Sequence, residues 1–231
     1  MLEKAGAVVM TEIYLVRHGQ ASFGQDNYDV LSELGKLQAR WLGQWFNEQE
    51  LQFDGLYSGQ LQRQIHTLNA LSQAQGQPVT AHMSEFDEFD FMQVVGAFLK
   101  QYPGQDQQEQ TPRFWFKTLR KSMQAWSTGE LQVPDTAESW HTFVQRVKEG
   151  LNQLLSQGHK RVVVATSGGV IACATGLTLG LGADNIIKLN LQIQNTSVTR
   201  LIVNPHSWSL HSFNSVPHLS SRERAPHITY A

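Results

Sequence analysis

A chain of 231 residues with 41% apolar side chains can bury one large α/β core, or one such core carrying an insertion. Its 18 Lys and Arg against 20 Asp and Glu leave a net charge of −2, which excludes the broad basic footprint that nucleic acid or an anionic membrane demands. A single cysteine, Cys173, excludes an internal disulfide; it lies in an apolar run and reads as a small core residue, in keeping with a reducing, cytoplasmic setting.

Residues 1–9 read as an N-terminal extension ahead of Met10, too short and poorly flanked for a signal peptide. "EIYLV" (12–16) is a short apolar run of β-formers that stops at Arg17-His18-Gly19. A polar loop follows. Ser32 then caps a helix whose expected buried stripe is Leu34, Leu37, Trp41 and Trp45. "FDGLYS" (53–58) reads as a second strand. The helix after it repeats Leu61, Ile65, Leu68 and Leu71, and "PVTAH" (78–82) reads as a third strand.

Residues 84–134 change character, crowding Phe86, Phe89, Phe91, Phe98, Phe114, Trp115, Phe116 and Trp126. We expect two helical pieces there, split by the polar stretch 103–112, forming an inserted, mostly helical cap within a single domain spanning residues 1–231. Arg113, Lys117, Arg120 and Lys121 share one helical face of this insertion, either a solvated basic face or a reach toward a second anionic group. A strongly amphipathic helix follows, with Trp140, Phe143, Val144, Val147, Leu151, Leu154 and Leu155 in one stripe ending near Gly158.

"RVVVATSGG" (161–169) is a strand, a Gly-rich turn and the start of an apolar helix. The mildly apolar stretch 169–181 is too short and too rich in Gly and Thr to span a bilayer. "NTSVTRLIVN" and "WSLHSFN" alternate as a closing hairpin. Alternating strands and helices predict a three-layer α/β/α sandwich around a mostly parallel sheet.

Ligands of such sheets bind beyond the carboxyl ends of the strands. Arg17 and His18 follow the first strand, Arg63 opens the helix after the second, and Ser167, Gly168 and Gly169 follow the "VVVAT" strand. Two guanidiniums at one rim suit an anion with several oxygens, such as phosphate. A neutral imidazole between them suits nucleophilic attack on phosphorus, and Gly19 allows a close backbone approach. On position alone, a surface ion pair and a hydrogen-bonded histidine fit equally well.

"LVRHGQAS" with "LSELGKLQA" (31–39), "YSGQLQRQIHT" (57–67), "ESWHTFVQRV" (138–147), "NTSVTRL" (195–201) and "FNSVPHL" (213–219) together resemble the histidine phosphatase superfamily, whose founding members are the cofactor-dependent phosphoglycerate mutases. The resemblance implies a phosphoglycerate mutase-like fold and a phosphatase acting on a small phosphorylated substrate. No HExxH, CxxC or comparable ligand cluster appears among the nine histidines and one cysteine, so we expect no metal, and the reaction needs no cofactor. His18 would be the nucleophile, forming a phosphohistidine, with Arg17 and Arg63 gripping the phosphoryl oxygens. "EFDEFDF" (85–91) is similar to the family's acidic motif, with Glu88 best aligned as general acid and Asp87, Glu85 and Asp90 as competitors. Ser22 and Asn27 would add neutral donors, or merely cap their loop.

One departure stands out. Where the family carries a second histidine, this chain has Ser167, a hydroxyl without charge. Slower or more selective turnover follows, and hydrolysis is favoured over mutase action. His66 and His141 are conceivable stand-ins. A phospho-ligand-binding protein without turnover is the alternative. "ATSGG" (165–169) also has the outline of a nucleophile elbow, so a serine hydrolase using Ser167, Asp184 and one of His206, His211 or His218 is a third reading.

Overall fold

Alternation along two strands decides how the layers assemble. In β1 (Thr11–Arg17), Ile13 and Leu15 join one buried cluster, and Tyr14 and Val16 join the other. In β4 (Arg161–Thr166), Val162 and Val164 go with the first and Val163 and Ala165 with the second. Strands apolar on both faces must be covered on both faces. This computed structural model, which describes residues 10–22, 29–104 and 111–230, accordingly has helices on either side of a six-stranded sheet. The expected extension 1–9 and Asn27 lie outside the described residues.

The remaining strands are β2 (Gly55–Ser58), β3 (Ala81–His82), β5 (Val198–Asn204) and β6 (Ser207–Ser215), in the order β3-β2-β4-β1-β5-β6. β1 to β4 run parallel, and β5 is antiparallel to β1 and β6. Register brings the carboxyl ends of the parallel strands level: Arg17 pairs with Thr166, Ser58 with Ala165 and with His82. The third strand is shorter than expected: only Ala81 and His82 of 78–82 pair in register with β2, while the Thr80 hydroxyl takes the Leu56 amide at 2.9 Å in place of a backbone partner. The closing hairpin forms as its alternation predicts, with a register shift between Val198 and Leu201.

α1 (Glu33–Glu48) and α2 (Gln62–Gln75) cover one face. Ser32 caps α1 as expected, its Oγ accepting from the Gly35 amide at 3.0 Å. The buried face of α1 differs from the expected stripe. It is Gly35, Gln38, Ala39, Leu42, Gly43 and Phe46, while Leu37 is exposed and Leu34, Trp41 and Trp45 are half-buried. Small residues let α1 approach closely. A Cβ on Gly43 would lie 2.5 Å from the Ala74 methyl of α2. Trp41 is shielded instead by the later chain, with the Arg224 guanidinium 5.1 Å from its ring and His227 beside it.

α3 (Phe91–Gln101), α4 (Pro112–Ser127), α5 (Trp140–Ser156), α6 (Gly168–Leu179) and α7 (Ala183–Asn190) complete the described helices. Phe86, Phe89, Val94, Phe98, Met123 and Trp126, all from residues 84–134, share one core cluster with Ile13, Leu15 and Val164 of the sheet. Phe89 and Trp126 meet at 4.8 Å between ring centroids, and Phe143 of α5 packs edge-on against Phe89. Arg113, Lys117 and Arg120 of α4 are exposed, as are Trp115 and Phe116. Among the described residues no helix is long and apolar enough to cross a membrane. Cys173 is buried in α6, and burial pushes its thiol up to about 12, which keeps it protonated and unreactive.

Candidate active site

Each parallel strand delivers one part of the site. β1 ends on Arg17 and His18. β2 leads into α2, where Arg63 is the second residue. β3 leads through a 3₁₀ turn (Ser84–Phe86) to Glu88, and β4 leads to Ser167 at the N-cap of α6. His18 and Arg63 are 3% and 6% exposed.

The ring of His18 is fixed at both nitrogens. Nδ1 lies 2.7 Å from the Gly19 carbonyl, which only accepts, so Nδ1 carries the hydrogen. Nε2 therefore holds the lone pair, and Arg63 Nε donates to it at 3.2 Å. Burial holds the imidazole well below its usual pKa, and the guanidiniums of Arg17 and Arg63 push the same way. The ring is neutral at pH 7, with its reactive nitrogen turned toward a cation.

Asp29 fixes Arg63 from the other side. Its Oδ1 accepts from Arg63 Nη1 at 2.6 Å and its Oδ2 accepts from the Gln62 amide at 2.9 Å. Thr67 ties the same helix to β1, accepting from the Gly19 amide at 3.0 Å and donating to the Arg63 carbonyl at 2.8 Å. Those bonds account for the Arg-x-x-x-Thr spacing. Arg17 Nη1 donates to the carbonyls of Ile193 and Tyr230. A Cβ on Gly168 would lie 3.9 Å from Arg17 Nε, so this guanidinium rests against the first turn of α6.

Glu88 separates from its competitors by location. Asp90 caps α3, Glu85 accepts from Gln153 at the surface, and Asp87 accepts from the Gln60 amide. Glu88 Oε2 accepts from the Gly169 amide at 2.9 Å at the start of α6. Burial raises its pKa against the opposing pull of that amide and of Arg63 and Arg17. A raised carboxyl in contact with both arginines' field is equipped to donate a proton. A Cβ on Gly169 would lie 2.2 Å from Glu88 Oε1 and 2.8 Å from the Phe89 ring, so a side chain there would displace the carboxyl.

Ser167, 1% exposed, stands at an N-cap but makes no capping bond. Its partner is Gln64 Nε2 at 2.8 Å. The same nitrogen donates to the Phe86 carbonyl at 3.1 Å, which fixes the amide's orientation because a carbonyl cannot donate. Ser167 Oγ therefore accepts from Gln64, and its own hydrogen is left to point elsewhere. Sequence reasoning missed Gln64 and Asp29; neither carries a pattern beyond being polar near Arg63 or in the loop.

Other expected residues lie as follows. The close approach that Gly19 permits is with α1, where a Cβ would lie 2.3 Å from the Gly35 carbonyl oxygen. Ser22 donates its amide to the Val30 carbonyl and closes the neck of its loop. His66 is half-buried on α2 and His141 exposed on α5; among the described residues neither hydrogen-bonds a site residue. The serine-hydrolase arrangement does not assemble. Among the described residues no histidine hydrogen-bonds Ser167, Asp184 accepts from Gln124, His206 and His211 are exposed, and His218 pairs with Thr196.

The family description "histidine phosphatase superfamily (branch 1)" matches residues 13–216. Among solved structures, a phosphoglycerate mutase from Bacillus anthracis str. Sterne superposes with a TM-score of 0.65 at 18% identity, covering 91% of this chain and 96% of the other. A mutant phosphoserine phosphatase from Entamoeba histolytica in complex with phosphoserine gives 0.64 at 22%, covering 90% and 99%. A mycobacterial glucosyl-3-phosphoglycerate phosphatase gives 0.65 at 21%, covering 89% and 99%. These likenesses establish the shared fold.

Proposed function

This chain belongs to the histidine phosphatase superfamily, and from that membership we propose that it hydrolyses small phosphomonoesters through a phosphohistidine on His18. The observation that carries the reading is a neutral imidazole with its lone pair on Nε2, directly beneath the Arg63 guanidinium.

An incoming phosphoryl group takes over the Arg63 Nε–H and binds between Arg63 and Arg17. Both guanidiniums then neutralise charge on its oxygens. Nε2 attacks phosphorus in line, the bond to the leaving oxygen breaks, and Glu88 gives that oxygen its proton. Nδ1–H stays on the Gly19 carbonyl, which supports the positive charge spread over the phosphorylated ring. Water then attacks the phosphohistidine, Glu88 takes back a proton, and the P–N bond breaks to leave neutral His18 and inorganic phosphate. The Ser167 hydrogen, aimed away from Gln64, supplies the phosphoryl group with a neutral donor. Glu88, from the 84–134 segment, supplies the acid. The structural relatives named above as phosphatases are named for small phosphorylated molecules, which fits this substrate class.

The test is phosphate release from a panel of phosphorylated metabolites, with His18→Ala as control. Release by the wild type but not by His18→Ala, with acid-labile phosphate trapped on the protein, supports the reading. Equal release from both, or none from either, refutes it; binding without release would make the protein a phospho-ligand receptor.

A further inference from the structure

On the far side of the His18 backbone the chain adopts a conformation its residue type resists. Thr196 has φ 54°, in the left-handed region that β-branched residues avoid. Such a residue is strained and persists only where its surroundings over-determine it. Its amide donates to the carbonyls of Arg17 at 3.0 Å and His18 at 3.4 Å. The neighbouring Asn195 Nδ2 donates to the same His18 carbonyl at 3.1 Å. Two donors from one strained segment thus grip the residue that bears the nucleophile.

A second histidine holds that segment. Thr196 Oγ1 lies 2.7 Å from the Asn195 carbonyl and 2.9 Å from His218 Nε2. The carbonyl only accepts, so the single hydroxyl hydrogen goes there, and His218 Nε2 must donate into the hydroxyl oxygen. His218 Nδ1 then bears a lone pair. It is buried without a hydrogen-bond partner among the described residues, and the residue is 2% exposed. Burial drives this imidazole down to about 3, so it stays neutral. An apolar side chain would fill the space without leaving an acceptor bare. What histidine adds is one N–H, aimed at Thr196.

We propose that His218 is a positioning residue for the reaction at His18, acting through the Thr196 hydroxyl. The Nε2–H fixes that hydroxyl, the hydroxyl locks the strained Thr196 backbone, and Thr196 with Asn195 holds the His18 carbonyl. That carbonyl and the Gly19 amide are two ends of one peptide. Gly19 has no side chain to resist rotation of this peptide, so outside bonds must set it. Its orientation decides whether the next carbonyl, that of Gly19, meets His18 Nδ1 and keeps the lone pair on Nε2. The functional half of this inference rests on His18 being the nucleophile.

The experiment compares His218→Leu, which removes the donor, with His218→Gln, whose amide restores an N–H at similar reach. Histidine-selective ¹⁵N NMR of the resting protein, assigned with His18→Ala, reads the His18 ring directly. Wild type should show one Nδ1–H tautomer. In His218→Leu that signal should shift or broaden and kcat should fall about tenfold with KM within about twofold, the pattern of a misplaced nucleophile. His218→Gln should recover both readings. An unchanged His18 signal in His218→Leu, or a Gln variant no better than Leu, overturns the proposal. Should wild type release no phosphate, the proposed reaction falls, yet the ring signal still decides the brace. If His218→Leu does not fold, Thr196→Val, which removes the hydroxyl and keeps the branch, must disturb the His18 signal; an undisturbed signal overturns the proposal.

Discussion

Replacing Gln64 by methionine separates what this buried amide does for the fold from what it does for Ser167. Methionine matches glutamine in length and volume, so no cavity opens at a site that is fully buried. Three hydrogen bonds vanish: the two that Gln64 Nε2 donates, to the Phe86 carbonyl and to Ser167 Oγ, and the long one, 3.4 Å, that Gln64 Oε1 accepts from the Leu61 amide. The Phe86 carbonyl keeps Thr166 Oγ1 at 2.6 Å, so it is not orphaned. The stability loss is then the net worth of three hydrogen bonds, one of them long, about 1–4 kcal/mol, read as a shift in the urea midpoint. The effect on rate has a different origin. With no donor from Gln64, Ser167 has no reason to turn its hydrogen away from the protein and toward the phosphoryl group. Complete loss of a preorganised donor costs ~10²–10³ in rate, and a neutral hydroxyl left free to rotate should cost about tenfold. Phosphate release at saturating substrate measures it, and kcat should fall more than KM changes. A variant that loses the expected stability but keeps full kcat refutes the assignment of the Ser167 hydrogen.

Glu88→Gln should slow hydrolysis of esters with poor leaving groups by ~10²–10⁴ and affect 4-nitrophenyl phosphate much less, because that leaving group needs no proton. It should also abolish the alkaline fall in rate, since wild type loses activity as pH rises through the raised Glu88 pKa; comparable losses on both substrates would exclude Glu88 as the acid. Gly169→Ala drives a methyl into Glu88 and the Phe89 ring; activity should drop at least about tenfold, and full activity would show that Glu88 need not stay at the α6 terminus. His218, at about 3 in the folded protein, binds no proton at pH 5, whereas the unfolded chain does. Its contribution is complete above ~6.5 and shrinks as pH falls, by about 2 kcal/mol at pH 5. Urea melts at pH 7 and 5 should show this loss reduced in His218→Gln, and an identical pH dependence would count against a buried neutral ring.

Local patterns were readable where local forces decide. The Ser32 cap, the α5 stripe through Phe143, Val147, Leu151 and Leu154, and the β5–β6 alternation all reappear in the structure. The α1 face did not, because Trp41 is covered by Arg224 and His227, far along the chain, while Gly35, Ala39 and Gly43 turn inward. α7, eight residues long, is too short for periodicity to announce. His18, Arg17, Arg63, Glu88 and Ser167 stood out because they follow strands or sit in recognisable blocks. Gln64, Asn195 and Thr196 lie inside such blocks without a chemistry that singles them out, and Asp29 lies outside them.

By itself, then, the sequence determined the longer strands and helices, and that several chemically apt side chains gather at one rim of the sheet. Strand periods, caps and the rule that parallel strands open at their carboxyl ends are properties of neighbours in the chain. Only the tertiary structure decided which donor meets the His18 Nε2 lone pair, which donor meets Ser167 Oγ and what holds the His18 carbonyl. Those follow from hydrogen bonds between residues 45, 103 and 177 positions apart. A donor's direction depends on which acceptor folding brings opposite it, and no pattern among chain neighbours encodes that meeting.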